Sequence, residues 1–419
     1  MSVFLGLGSN LGDRAEHLEH ALAALEQHPR LELQRISTPY ESQAWLPPDA
    51  PTDWDKPYCN LVVKVKTDLE PVELLAATQD IEQRLGRCQA LRWAPRTVDI
   101  DIILYGNRVV ATDDLQIPHR QALDRPFVLS PLAEIAPGLK FPGSAKTVLQ
   151  LHRALTAMLP AWMAVVNVTP DSFANDTERL DPERLSDWTV PEANYIDIGA
   201  ESTRPGADPI DAAKEWQRLS PLLQRLQDVF GNRRVKPKIS IDTRHVETAS
   251  RALEHGVDLI NDVTGLSDPA MVERLGDADC DIVVMHSLSI PADPNVALPP
   301  ASDPVRLILE WCDAKLESLE RQSVSLDRII IDPGIGFGKS AHQSWEIIRR
   351  ADEFTALPCR ILFGHSRKSY LKTLTKLPPQ QRDIETLAVS ARLIDRGIDI
   401  LRVHNVEAHQ RFWRAISKT

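Results

Sequence analysis

The chain has few cysteines, no block of positive charge and no apolar run long enough to cross a bilayer. Its five cysteines (Cys59, Cys88, Cys280, Cys312, Cys359) are odd in number, scattered, and form no C-x-x-C pair. That excludes a disulfide framework and a cysteine zinc site, and it fits a reducing compartment. Lys and Arg number 48 against 59 Asp and Glu, and the net charge of −11 argues against a nucleic-acid partner. A phosphorylated ligand must then be met by local cationic clusters and not by a general positive field. No segment approaches the roughly 20 apolar residues of a membrane-spanning helix. The first residues, MSVFLGLGSN, lack the basic start of a signal or transit peptide and read as a strand. The expected location is the cytoplasm.

What is present divides in two. At 419 residues the chain exceeds one ordinary core, so two domains are expected. Periodicity predicts strands over 2–8, 31–39, 60–67 and 98–105, with helices over 13–28 and 70–86. This β-α-β-β-α-β order points to an α+β ferredoxin-like sandwich. The Pro- and Asp-rich segment 45–58 reads as a loop. A weak helical pattern over 143–160 ends at Pro160, which places the boundary between domains 1–159 and 160–419.

Beyond Pro160 apolar strands alternate with helical stretches. Strands are predicted at 163–168, 194–198, 237–241, 257–260, 281–285, 328–331, 359–363 and 398–403. Eight such units in about 260 residues predict an α/β TIM (β/α)8 barrel, whose sites lie at the C-terminal ends of the strands. Asn167, Asp197, Asp242, Asn261, His286, Asp332, His365 and Arg402 all fall at or just past those ends.

The densest chemistry lies in Arg92–Tyr105, RWAPRTVDIDIILY. Asp99 and Asp101 are two apart in a β-forming run, so both carboxylates project from one face of a strand. Paired carboxylates suit Mg²⁺ shared with a substrate's phosphates. Arg92 and Arg96 stand just upstream, able to grip phosphate through two hydrogen bonds each. An isolated D-x-D reads equally well as a solvated edge strand, and it is the fixed R-W-x-P-R spacing that weighs against that reading. Three other motifs fail. GLGSNLG has G-x-G-x-x-x-G spacing and reads as a tight strand-to-helix turn. GIGFGKS has Pro333 where a phosphate-binding loop needs Gly, and GHSRK has Lys368 where a nucleophile elbow needs Gly.

R-W-x-P-R-x-x-D-x-D is the signature of 6-hydroxymethyl-7,8-dihydropterin pyrophosphokinase, which the N-terminal region resembles. The C-terminal region resembles dihydropteroate synthase through NVTPDSF (167–173), DIGAESTRPGA (197–207), SIDT (240–243), INDV (260–263), DPGIGFGK (332–339), SRKS (366–369) and RVHNV (402–406). Together the two likenesses cover nearly the whole chain and imply a bifunctional folate-pathway enzyme. The first step would transfer pyrophosphate from ATP to the pterin hydroxymethyl group and release AMP. The second would join that product to p-aminobenzoate, giving dihydropteroate and pyrophosphate, with sulfonamide sensitivity expected.

The resemblance also implies roles. Asp99 and Asp101 would hold two Mg²⁺, with Arg92, Arg96, Arg87, Arg125, Trp93, His119, Gln79 and Glu82 around ATP. Tyr58, Asn60 and Phe127 would form the pterin pocket. In the barrel, Asn167 would ligate one Mg²⁺. Thr203, Asp242, Asn261, Asp332, Lys368, Arg402 and His404 would hold the pterin pyrophosphate, and Arg204, Pro205, Phe337 and Ser366 the p-aminobenzoate. Asp332 and Lys368 would act directly with Asp242 in the reaction. A homodimer through the barrel is expected. Departures from the family pattern are Gln89 or Cys88 in place of a second arginine, Asp114 and Arg120 at other positions, a first barrel loop lacking the usual Gly-rich run, and MHSLS at 285–289. Two alternatives stay open: a non-catalytic N-terminal scaffold, opposed by Asp99 and Asp101, and a pterin-dependent methyltransferase barrel, opposed by S-R-K-S and R-V-H.

Overall fold

The computed structural model describes residues 2–87, 93–155, 159–168, 193–202, 206–293 and 295–416. Contacts divide the chain into two compact units, one built on the chain up to Leu159 with Asn232–Lys236, the other on the remainder from Pro160.

In the first unit the elements run β1 (Ser2–Ser9), α1 (Arg14–Gln27), β2 (Leu31–Ile36), β3 (Tyr40–Ser42), β4 (Tyr58–Thr67), α2 (Pro71–Arg84) and β5 (Asp99–Tyr105). The antiparallel sheet has the order β2-β4-β1-β5, with β3 beside β4, which is the ferredoxin-like arrangement. Asp13 caps α1 by accepting the Glu16 N–H at 3.0 Å, and α2 begins with a Glu70–Glu73 capping box and Pro71. The strand predicted over 31–39 ends at Ile36, and a separate β3 begins at Tyr40. Pro39 has no N–H for the ladder, and the Thr38 N–H turns to the buried Glu134 carboxylate at 3.0 Å.

Alternation decides the faces. Val3, Leu5 and Leu7 of β1, Leu61, Val63 and Val65 of β4, and Ile100 and Ile102 of β5 pack with α1 and α2. Phe4, Val62 and Ile103 point to the other face, against a helix α3 at Pro126–Ile135. Each fully buried aliphatic contributes roughly 1.5–3 kcal/mol, so a slip of one register would exchange core for cavity. The helix predicted over 143–160 is reduced to α4, Val148–Arg153, started by a Thr147–Gln150 capping box.

The second unit is a closed barrel of eight parallel strands in chain order: β8 (Ala161–Asn167), β9 (Tyr195–Gly199), β10 (Lys238–Asp242), β11 (Leu259–Asp262), β12 (Asp281–Met285), β13 (Ile329–Asp332), β14 (Arg360–Phe363) and β15 (Ile400–Val403). A two-stranded ribbon of β6 (Val110–Ala111) and β7 (Gln116–Ile117) belongs to the first unit. Barrel strands are buried along most of their length because helices cover them outside and side chains fill them inside. None of the described helices is long and apolar enough to cross a membrane.

Candidate functional sites

On the sheet face opposite α1 and α2, alternate residues of three strands line a cavity of about 270 Å³: Gly6 and Gly8 of β1, Asn60 of β4, and Asp99, Asp101 and Ile103 of β5. Glycine keeps this floor open. A Cβ on Gly6 would meet Ile103 Cδ1 at 3.1 Å, and one on Gly8 would meet Asn60 Oδ1 at 3.2 Å. GLGSNLG is thus strand through Ser9, with Gly6 and Gly8 on the cavity floor, and turns only around Gly12, where φ is +61°.

Cations close over the two carboxylates. Arg87 Nη1 lies 2.8 Å from Asp99 Oδ1 and Arg96 Nη1 3.1 Å from Asp99 Oδ2. His119 Nε2 and Arg125 Nη1 stand 3.8 and 3.9 Å from Asp101. Packing of the cavity walls, and then the neighbouring Asp99, push the Asp101 carboxyl up to about 7, although 38% of its side chain still meets the cavity. Burial, aided by Arg125, lowers His119, which favours the neutral ring. At the other end Asn60 Nδ2 donates to Tyr40 O at 3.2 Å and Ser42 Oγ at 3.0 Å. Phe127 meets Trp45 edge to face at 6.5 Å, and the Arg125 guanidinium lies 5.4 Å from the Phe127 ring centre. Tyr58 and Trp93 also line the cavity.

Glu82 does not line it. It lies buried behind β5, accepting the Ile100 N–H at 2.7 Å and pairing with Arg87, so it aims the arginine from below. Gln79 is exposed on α2 and does not line the cavity. Arg92, like Thr203, Arg204 and Pro205 of the barrel, lies outside the described residues. Ser42, Gln43, Trp45 and Leu46 were missed by sequence reasoning. Their signal was positional, since a loop leaving the strand beside β4 must overhang the same face.

At the barrel mouth the C-terminal strand ends converge. Gly364, just past β14, marks the centre: a Cβ there would lie 3.3 Å from Asp332 Oδ2, 3.8 Å from Lys368 Nζ and 4.0 Å from Arg402 Cδ. Asp332 accepts the Gly334 N–H at 2.8 Å, and burial raises its carboxyl against the pull of Lys368. Lys368 Nζ donates to Ile335 O at 2.7 Å and stands 4.7 Å from the Phe337 ring centre. Burial pushes its amine down to about 8, with Asp332 opposing. Arg402 clasps two strands, its Nε 2.5 Å from Asp197 and its Nη2 2.9 Å from Asp242. Burial raises Asp242 to about 7, with Arg402 opposing and Asp197 adding. Asn261 Nδ2 donates to Asp197 at 3.1 Å, and Ser240 also donates to that fully buried carboxylate. Sequence reasoning placed Asp197 at a strand end without giving it this organising position. Ser366 Oγ accepts the His404 N–H at 3.3 Å and contacts His404 Nδ1 at 3.0 Å. Asn167 is half-buried at the end of β8, in register with Gly199.

Two members of the predicted polar ring turn elsewhere. His365 is fully buried against the helix layer, 2.8 Å from Ser390 Oγ. His286 lies under the mouth, its Nδ1 2.7 Å from Lys339 Nζ and its ring edge to face with Trp311. Burial and then Lys339 lower it to about 3.

A sheet face with paired carboxylates under arginines, and a barrel whose mouth gathers aspartates, a lysine and an arginine, mark a two-domain enzyme with one charged site on each unit. Residues 4–137 match the family model for 7,8-dihydro-6-hydroxymethylpterin-pyrophosphokinase, and 163–404 that for pterin binding enzymes. A folate synthesis bifunctional protein of Chlamydia caviae is 37% identical over 98% of this chain and 96% of its own. Dihydropteroate synthase of Anaplasma phagocytophilum, solved with bound 6-hydroxymethylpterin-monophosphate, is 33% identical over 62% of this chain and 98% of its own, with a TM-score of 0.55. That of Xanthomonas albilineans, solved with 4-aminobenzoic acid, is 30% identical over 62% and 94%, with a TM-score of 0.54. The chain belongs to the bifunctional folate-synthesis family, joining a hydroxymethyl-dihydropterin pyrophosphokinase to a dihydropteroate synthase. Both activities are transferases, and enzymes of this family use ATP and typically Mg²⁺. The scaffold and methyltransferase alternatives fall with this assignment.

Proposed function

We propose that residues 1–159 carry out the pyrophosphoryl transfer and residues 160–419 the condensation, each within the cavity or mouth described above. What supports the first assignment is the cavity itself, which gathers Tyr58, Asn60, Phe127, Asp99, Asp101, Arg87, Trp93, Arg96, His119 and Arg125. Asn60, held by Tyr40 O and Ser42, reads the hydrogen-bonding edge of a pterin, while Phe127 and Tyr58 offer it aromatic surface. Asp99 and Asp101 supply hard oxygen donors on one face, and their mutual repulsion fits a site meant for cations. They would hold two Mg²⁺, which neutralise phosphate charge and lower the barrier to attack by the pterin hydroxyl. Arg87 and Arg96, paired with Asp99 in the free protein, would turn to phosphate oxygens when ATP enters, with Arg92 completing the clamp. Arg125 and neutral His119 would orient the chain of phosphates.

In the barrel, Asp332, Asn261 and Asp242 carry the donors and acceptors to read the pterin's amino-pyrimidine edge, where unmatched buried groups make discrimination strong. Lys368 would contact the ring carbonyl and N5. Arg402, His404 and Thr203 would receive the pyrophosphate, with Asn167 holding one Mg²⁺. Ser366, Phe337, Arg204 and Pro205 would seat p-aminobenzoate. The C–O bond to pyrophosphate breaks, the aniline nitrogen forms the new C–N bond and its proton leaves to solvent. A homodimer through the barrel and a cytoplasmic location complete the reading.

The test supplies hydroxymethyl-dihydropterin, ATP, Mg²⁺ and p-aminobenzoate and follows AMP and dihydropteroate. AMP formation persisting in Asp101→Ala would overturn the metal assignment, and unchanged dihydropteroate formation in Lys368→Ala would overturn that lysine's role.

A further inference from the structure

A third cluster of ligand-type side chains lies in the barrel unit, outside the residues assigned above. Glu201 follows β9, His245 follows β10, and Glu215 comes from the first turn of the helix Ala212–Phe230. One carboxylate oxygen of each glutamate and a ring nitrogen of the histidine all lie within 4.8 Å of one another. Glu201 Oε2 and His245 Nε2 are 3.6 Å apart, close to the spacing of two ligands sharing one dication through bonds of about 2.0–2.2 Å.

This is not a solvated acidic patch. Glu215 has no exposed surface; its Oε2 accepts from Thr243 Oγ1 at 2.6 Å, while its Oε1 has no hydrogen-bond partner among the described residues. His245 Nε2 is likewise buried and without a hydrogen-bond partner. A buried oxygen and a buried imidazole nitrogen left without hydrogen bonds in one small space are costly, and each unsatisfied atom needs an explanation. Glu201 is fixed for its part by Arg244, whose Nε and Nη2 lie 2.8 and 2.9 Å from its two oxygens, and by the Ile210 N–H at 3.1 Å. Arg244 matches the charge of Glu201, which leaves the Glu215 carboxylate oxygen and the His245 ring nitrogen to be matched. Burial raises the Glu215 carboxyl, with the Thr243 hydroxyl opposing, so a proton is the competitor for the position.

We propose that Glu201, Glu215 and His245 form a binding site for one first-row transition-metal dication, separate from the magnesium sites of the two reactions. Two carboxylates with an imidazole favour Mn²⁺, Co²⁺ or Zn²⁺ over Mg²⁺, which prefers oxygen ligands and keeps its water. The ion would tie the segment after β9 to the segment after β10, bracing Asp242 from behind.

The test uses full-length protein carrying Asp99→Asn and Asp101→Asn, which silences the oxygen site on the sheet face. After chelator treatment it is titrated with Co²⁺, followed by calorimetry and by visible absorption, which reports nitrogen coordination. One equivalent of Co²⁺ per chain is expected, displaced by Zn²⁺ and not by millimolar Mg²⁺. His245→Ala and the isosteric Glu215→Gln should each weaken binding about tenfold or more, with circular dichroism showing both still folded. No stoichiometric binding, or binding unchanged in both variants, overturns the proposal; the first result would leave Glu215 as a protonated structural carboxyl.

Discussion

On the sheet face of the first unit, the two acidic residues sit two apart on one strand, and arginines close over them from flanking segments. At the barrel mouth Asp197, Asp242 and Asp332 each come from a different strand, and one arginine, Arg402, spans two of them. Both arrangements leave an aspartate whose carboxyl is pushed up to about 7, Asp101 in one and Asp242 in the other. The mates differ. Asp101 stands 3.9 Å from the Arg125 guanidinium, whereas Asp242 is 2.9 Å from Arg402. In the first pair the close cations sit on Asp99, and Asp101 is left the more open of the two. An acidic cluster already braced by Arg402 is set up to hold its own geometry and offer Asp332 and Lys368 to a ligand. On the proposed assignments the same elementary charges would serve a cation site on one scaffold and a substrate-reading site on the other.

The sharpest way to break that comparison is to remove one charge from each side. Asp101→Ala should lower AMP formation about 10³-fold. Dihydropteroate formation from supplied pterin pyrophosphate should be unchanged, measured in the same preparation. Lys368→Ala should do the reverse, cutting dihydropteroate formation about 10²-fold while AMP release continues. A loss of both activities in either variant would show that the sites are not independent.

How legible these sites were depends on how local their construction is. Asp99 and Asp101 announce a shared face because alternation is a property of adjacent residues, and β5 places both on the cavity floor with Ile103. The eight barrel strands were likewise readable from apolar runs, each within a few residues of its observed span. Side-chain direction was not. His365 and Arg402 both follow apolar strand residues, yet one faces Ser390 in the helix layer and the other faces Asp197 inside the mouth. Strand-end position alone does not tell inward from outward when the chain leaves the ladder. Gln79 lies off the cavity for a related reason, since a helix period fixes a stripe but not which edge of it reaches the cavity.

A pH profile sharpens the difference further. Lys368 has its amine lowered to about 8, so it is a cation below that pH and loses its charge as pH rises through it. Dihydropteroate formation should fall about tenfold per pH unit above 8 if the ammonium is required. Lys368→Arg, which stays charged, should remove that limb even at a lower overall rate. The pyrophosphokinase step, followed by AMP in the same buffers, should lack it.

The smallest expected effect compares the two glycine floors. Gly8→Ala would set a methyl 3.2 Å from Asn60 Oδ1 and 3.5 Å from Tyr58 Cδ1, and Gly364→Ala one 3.3 Å from Asp332 Oδ2. Neither glycine has a positive φ, so the cost is space and not backbone strain. Displacing a neighbour by a few tenths of an ångström costs about 1 kcal/mol, or about fivefold. Because Asn60 and Asp332 are assigned to reading the pterin, that cost should appear in KM for the pterin substrate, with kcat nearly kept. Gly8→Ala should raise it for the first step alone and Gly364→Ala for the second alone. If Gly364→Ala lowers kcat instead, the crowded Asp332 carboxylate acts in the chemical step, through Lys368 0.5 Å further from the same methyl, and the barrel floor is part of the reacting centre where the sheet floor only shapes a pocket.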